Sequence, residues 1–111
     1  MRIISETRLR EFWEHDSRQR RAETSLRQWR VIVKQAAWRK PTDVKLTFGK
    51  NVDFVQSDRG SRLAVFNIHG NHYRLIAAIH YLEEHPVKGR VYVLSILSHE
   101  EYDENRWKRE L

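Results

Sequence analysis

Three side chains stand where chemistry could be done: Arg74, His99 and Tyr102. Arg74 sits in Tyr73-Arg74-Leu75-Ile76-Ala77-Ala78, an otherwise mostly apolar run. A guanidinium there is costly unless it is paired or faces a ligand, and its planar fork suits phosphate. Strand alternation puts Arg74, Ile76, Ala78 and His80 on one face. A structural salt bridge to Asp103 or Glu101 would explain Arg74 as well as a phosphate would. His99 follows Ser98 in Ser98-His99-Glu100-Glu101, which reads as a capping box. That places His99 in the first turn of a helix, where anions are attracted and a neutral imidazole is favoured. Tyr102 is about one helical turn further on and can share the site. It could stack on a base, serve as an acid, or anchor the last helix in the core. His99 could equally be a plain exposed residue. Asp103 suits orienting Arg74, or a cap, better than proton transfer.

Around these lie weaker candidates. Asn71 with Gly70 is most simply hairpin chemistry. Asn67 fits a satisfied polar core residue as well as a site. Lys45 could hold a phosphate from the edge or be merely solvated. His69, His72, His80 and His85 lack the spacing of known zinc sets, and no carboxylate pattern accompanies them. No metal and no cofactor is expected. There is neither a glycine-rich phosphate loop nor a Ser–His–Asp signature. With no cysteine, thiolate chemistry and disulfides are excluded.

The 111 residues suffice for one domain with one core, residues 1–111. No stretch is long and apolar enough to span a membrane, and Met1-Arg2-Ile3-Ile4-Ser5-Glu6 lacks the apolar centre of a secretory signal. Both suit a cytoplasmic protein. The net charge is +6, and its distribution is uneven. Residues 1–40 hold 11 basic and 5 acidic side chains, and residues 41–111 hold 10 of each. The whole excess lies in the N-terminal third. A polyanionic partner follows from clustered arginine; a solvated helical surface would account for it equally.

The elements that must position these side chains follow from periodicity. Two helices are expected in the first 40 residues. Ser5 would cap the first, running to about His15 with Leu9, Phe12 and Trp13 on one side. The second would run from about Gln19 to Ala37, its seam formed by Ala22, Leu26, Trp29, Val33, Ala36 and Ala37. Arg20, Arg27, Arg30 and Lys34 form an adjacent cationic stripe, interrupted by Glu23. Pro41 opens a short helix through Phe48. Thereafter the period changes to two, with strands at Val52–Gln56, Leu63–Ile68, Tyr73–Tyr81 and Val91–Leu97. His69-Gly70-Asn71-His72 is a tight hairpin, and Glu83–Gly89 a loop. A last short helix follows Ser98. The expected fold is α+β: two N-terminal helices packed on one face of a four-stranded antiparallel meander, with a short C-terminal helix. The other face, or its rim, would be free for chemistry.

The segment Val65-Phe66-Asn67-Ile68-His69-Gly70-Asn71-His72-Tyr73-Arg74-Leu75-Ile76 resembles the central motif of the HigB toxins. That motif is an apolar pair, Phe-Asn, an apolar residue, any residue, Gly-Asn, two residues, then Arg. Ser98-His99-Glu100-Glu101-Tyr102-Asp103 resembles the family's Thr-His-x-x-Tyr-Asp, with Ser98 keeping the cap. Trp38 to Phe48, with Pro41 and Lys45, and the start Ile3-Ile4-Ser5 before Leu9-x-x-Phe12 also fit. The resemblance covers nearly the whole chain. It implies a RelE-like fold and an endoribonuclease that cleaves messenger RNA, commonly on the ribosome. It also implies neutralisation by a HigA-like helix-turn-helix antitoxin that represses the operon.

RNA supplies its own nucleophile, the 2′-hydroxyl. A metal-free ribonuclease needs a base for it, a cation for the phosphorane charge and an acid for the leaving 5′-oxygen. With the resemblance, Arg74 fits the cation, His99 leads for proton transfer, and Tyr102 orients the nucleotide or shares the acid role. Arg20, Arg27, Arg30, Lys34, Lys45 and Asn71 then become candidate RNA contacts. Two other readings compete. A non-catalytic RNA- or ribosome-binding module would need the basic helix but not His99 or Tyr102. A protein-interaction domain would use the apolar seam to dock a partner's helix.

Overall fold

The computed structural model describes residues 1–82 and 89–111. The change of period after Pro41 becomes a change of layer. Four strands follow as a meander: β2 (Val52–Gln56), β3 (Arg62–Ile68), β4 (Tyr73–His80) and β5 (Arg90–Ser98). Each pairs antiparallel with the next. Tyr73 opposes Ser98 and Arg74 opposes Leu97, so the start of β4 lies beside the end of β5. The hairpin between β3 and β4 turns with His69 at φ 52° and Gly70 at φ 62°. Two successive left-handed residues match the twist of a hairpin, and glycine accepts that geometry without strain.

The sheet departs from the expected four antiparallel strands. A short β1 (Arg2–Ile4) pairs parallel with β5, Ile3 opposite Val91, giving the order β1-β5-β4-β3-β2 among the described residues. The sheet is therefore five-stranded and mixed. Three residues carry no readable period; what makes them a strand is the free edge of β5. The expected loop at Glu83–Gly89 lies, over residues 83–88, outside the described residues.

The helical layer also differs in detail. Ser5 does not cap α1 (Thr7–Glu14): it takes a left-handed φ of 63°, and Glu6 stands at the N-cap without a side-chain bond. The expected second helix is broken. Asp16 accepts from the Gln19 N–H at 2.7 Å and caps a one-turn α2 (Ser17–Arg20), and α3 spans Glu23–Gln35. It stops before Ala36 and Ala37, where the chain turns extended. Of the expected seam, Ala22, Leu26, Trp29 and Val33 are buried, whereas Ala36 is half-buried and Ala37 is exposed. α4 (Pro41–Phe48) begins at its proline after an extended Lys40.

α1, α3 and α4 pack on one face, where Leu9, Trp13, Leu26, Trp29 and Val33 meet Phe66, Leu75, Ala77, Val91 and Val93. Trp29 and Phe48 meet the Phe66 ring edge-on, at 5.5 and 4.9 Å between centroids. The opposite face is not left free. The C-terminal segment forms two short helices, α5 (His99–Asp103) and α6 (Arg106–Glu110), broken by a left-handed Asn105. The break lets Trp107 lie on Leu63, Val65 and Ile76 as a second, smaller core. Among the described residues, no helix is long and apolar enough to cross a membrane.

Candidate active site

The site forms where β4 starts, β5 ends and α5 begins. Alternation sends Tyr73 into the helix-covered core and Arg74 to the opposite face with Ile76 and Ala78. Arg74 is only 9% exposed. Its Nη1 donates to the carbonyls of Asn71 and Tyr73, both at 3.2 Å, and its Nη2 donates to Asn71 Oδ1 at 2.6 Å. All three acceptors are neutral. The salt bridge to Asp103 or Glu101 that the sequence left open is not made. Among the described residues Arg74 has no carboxylate partner, so its charge is buried, aimed and uncompensated.

His99 reaches this guanidinium. The capping box forms as the sequence predicts: Ser98 Oγ accepts from the Glu101 N–H at 3.1 Å, and Glu101 Oε1 accepts from the Ser98 N–H at 3.0 Å. Glu101 is thereby committed to the cap. The His99 N–H donates to the His72 carbonyl at 2.9 Å, tying α5 to the hairpin. His99 Nδ1 lies 3.5 Å from Arg74 Nη2 and 3.5 Å from Asp103 Oδ2. Asp103 thus stands by the histidine rather than the arginine. The His99 side chain is 40% exposed, so solvent and ligand can reach it.

Tyr102 completes the group. Arg74 Cζ lies 5.9 Å from its ring centroid, within cation–π range. Trp107 supports the ring from beneath, stacked at 5.0 Å with an interplanar angle of 7°, and donates its indole N–H to the Tyr102 carbonyl at 3.0 Å. Burial pushes the Tyr102 hydroxyl above its ordinary pKa; the field of Asp53 adds to this, Arg74 opposes it and Asp103 adds a little. The hydroxyl therefore stays protonated at neutral pH. Sequence reasoning missed Asp53 and Trp107. Asp53 could have been placed on this face by alternation from Val52, but nothing in the sequence points Trp107 at Tyr102.

The remaining candidates fall elsewhere or change task. Asn71 belongs to the site, as the clamp that orients Arg74. Lys45 donates to the Val52 carbonyl at 2.9 Å, at the start of β2. Each cation of the helical stripe has a carboxylate: Arg20 and Arg27 meet Glu23 at 3.2 and 2.8 Å, Lys34 meets Glu6 at 2.9 Å, and Arg30 pairs with Glu6 as well. Arg27 also lies over the Trp13 ring at 4.8 Å. None of these five contacts Arg74, His99 or Tyr102 among the described residues. His69 and His72 stack on each other at 5.0 Å, while His80 lies against Tyr92. His85 is outside the described residues.

Among curated proteins and among solved structures, none matches the chain significantly. A family model does. It describes the HigB toxin, the RelE-like toxic component of a toxin–antitoxin system, and it matches residues 22–105. The match contains the β3–β4 hairpin, Arg74 and the capped α5 with His99 and Tyr102. The chain therefore belongs to the HigB toxin family, the RelE-like toxic components of toxin–antitoxin systems.

Proposed function

We propose that this toxin is a metal-independent endoribonuclease that cuts messenger RNA, on the ribosome, and so halts translation. The observation that carries the proposal is the buried Arg74 guanidinium, held by neutral acceptors and lacking a counter-ion beside His99 and Tyr102. A buried cation is expensive without an anion, and a phosphodiester would supply one. The 2′-oxygen attacks the adjacent phosphorus, forming the O2′–P bond. The P–O5′ bond breaks, leaving a 2′,3′-cyclic phosphate and a 5′-hydroxyl. His99 takes the 2′-hydroxyl proton, Arg74 stabilises charge on the phosphorane oxygens, and the leaving 5′-oxygen is protonated by the Tyr102 hydroxyl, or by the His99 imidazolium where Tyr102 serves to orient the nucleotide. Asp103 holds the His99 ring. Arg20, Arg27, Arg30 and Lys34 exchange their surface carboxylate partners for ribosomal RNA phosphates, Lys45 holds a phosphate from the edge, and Asn71 serves the scissile phosphate through Arg74.

As a toxin it has an antitoxin partner; we place a HigA-like helix-turn-helix protein in that role, and the action in the cytoplasm, where translation occurs. The test is expression without a partner, read by growth and by the integrity of messenger RNA. Wild type should stop growth with cut transcripts. Arg74→Ala and His99→Ala should fold, still bind the antitoxin and lose toxicity. A fully toxic His99→Ala, Tyr102→Phe double variant would end the proposal. Growth arrest with uncut messenger RNA would instead favour a non-catalytic ribosome-binding module.

A further inference from the structure

We propose that the RNA strand continues from the catalytic residues into the groove between α2 and the β3–β4 hairpin, where Arg21 holds a phosphate flanking the one that is cut. The identity of the ligand rests on the ribonuclease reading above; the site itself rests on separate contacts. The groove has a volume of about 610 Å³ and is lined by Arg18, Arg21, Asn71, His72 and His99, among others. Asn71 and His99 also touch Arg74, so groove and active site are continuous.

Arg21 is anchored at its root and open at its tip. Its Nε donates to the Tyr73 hydroxyl at 3.2 Å, and that hydroxyl donates to the Arg18 carbonyl at 3.0 Å. Its Cζ stands 5.7 Å from the Tyr73 ring centroid. Tyr73 is 4% exposed and meets the Phe12 ring edge-on at 5.2 Å, so the anchor is fixed. Both Nη atoms have neither a hydrogen bond nor an ion pair among the described residues. Arg20, one residue earlier, has its carboxylate, as do Arg27, Arg30 and Lys34. Two of the groove's acids are engaged in caps: Asp16 by the Gln19 N–H at 2.7 Å, Glu101 by the Ser98 N–H at 3.0 Å. The third, Glu100, has its carboxyl held below the ordinary range chiefly by its own backbone N–H, with the Ser98 hydroxyl and the fields of His99 and His72 adding. A fixed guanidinium whose Nε is spent on Tyr73 and whose two Nη groups are free presents their shared edge to a phosphate as a bidentate ligand.

The register explains why two arginines serve one strand. Tyr73 and Arg74 are neighbours in β4 and point to opposite faces. Arg74 itself faces one side of the sheet, and Arg21 is fastened to Tyr73 on the other. An RNA crossing the sheet end past His99 meets one, then the other.

The experiment is a protein-by-phosphate cycle on ribosomes programmed with messenger RNA whose decoding-site nucleotides are 2′-deoxy and cannot be cut. Neutral methylphosphonates replace the linkages in and beside that codon, one at a time. For wild type, one flanking methylphosphonate should weaken binding about 10-fold, the loss of one charge-assisted contact. Arg21→Gln should weaken binding to the all-phosphate RNA by the same factor and no longer respond to that linkage. Arg21→Lys should recover part of the loss. An Arg21→Gln variant that still senses every linkage as wild type does, or that loses only antitoxin binding, would overturn the subsite. Cleavage of unmodified messenger RNA is scored separately. If wild type cuts nothing while the cycle closes, the ribonuclease reading fails and the subsite stands. If wild type cuts and the cycle does not close, the subsite alone fails.

Discussion

Replacing Arg74 by methionine separates the arginine's charge from its packing. Methionine keeps an unbranched apolar stem and fills irregular space. Arg74 is 9% exposed and makes three hydrogen bonds to neutral acceptors, at 3.2, 3.2 and 2.6 Å. Bonds from a charged donor contribute about 1.5–3 kcal/mol each in mutational series. Against them stands the cost of burying an ion without a counter-ion, several kcal/mol. Asn71 is exposed, so its two acceptors regain water in the variant. Only the carbonyl of the buried Tyr73 loses a donor with no ready substitute, at a cost of about 1–3 kcal/mol. The opposing contributions are similar in size, and the net change in stability should stay below about 2 kcal/mol. The reaction barrier has no such compensation. Loss of a transition-state donor costs about 2.7–4 kcal/mol, or roughly 10²–10³ in rate. Urea denaturation and single-turnover cleavage on programmed ribosomes measure the two quantities separately. Arg74→Met should unfold near the wild-type midpoint and cut at least about 100-fold more slowly. A variant destabilised by more than about 3 kcal/mol, whose folded fraction cuts at the wild-type rate, would show that Arg74 is structural and refute the assignment.

Two further outcomes follow from burial. Trp107→Ala removes a 3%-exposed indole from Leu63, Val65 and Ile76 and the support from beneath Tyr102; it should cost about 3–5 kcal/mol by urea denaturation, and an unchanged midpoint would contradict the packing. Burial pushes the hydroxyls of Tyr81 and Tyr102 above their ordinary pKa, Asp43 adding at Tyr81 and Asp53 at Tyr102. The folded state therefore holds these protons more tightly than the unfolded chain. Their contribution is complete below about pH 10 and is lost as pH rises through the folded values. A Tyr81→Phe, Tyr102→Phe double variant should lose less stability than wild type above that pH, and equal losses would count against burial as the cause.

Much of the site was legible because its parts are local. The capping box at Ser98–Glu101 needs only four consecutive residues, and it fixes where His99 stands. Alternation in β4 fixes the face of Arg74, and short hairpins force the antiparallel pairing that sets the start of β4 beside the end of β5. Arg74, His99 and Tyr102 therefore meet as their positions imply. The turn at His69–His72 was equally local, although that the Asn71 amide clamps Arg74 was not foreseen.

What the sequence determined by itself was thus whatever depends on neighbours along the chain: strand period, turn chemistry, caps, the proline that starts α4, and the family motif. The tertiary structure decided what depends on distant partners. Arg2–Ile4 is a strand only because β5, nearly 90 residues on, offers an edge. Asn105 breaks the last helix so that Trp107 can cover a face the sequence left open. The cationic stripe is answered by Glu6 from α1 and by Glu23, while Arg21, one residue from Arg20, is turned to Tyr73 and left with free Nη atoms. Adjacent arginines are indistinguishable in a sequence; packing in three dimensions determines which is paired with a carboxylate and which is left with free Nη atoms.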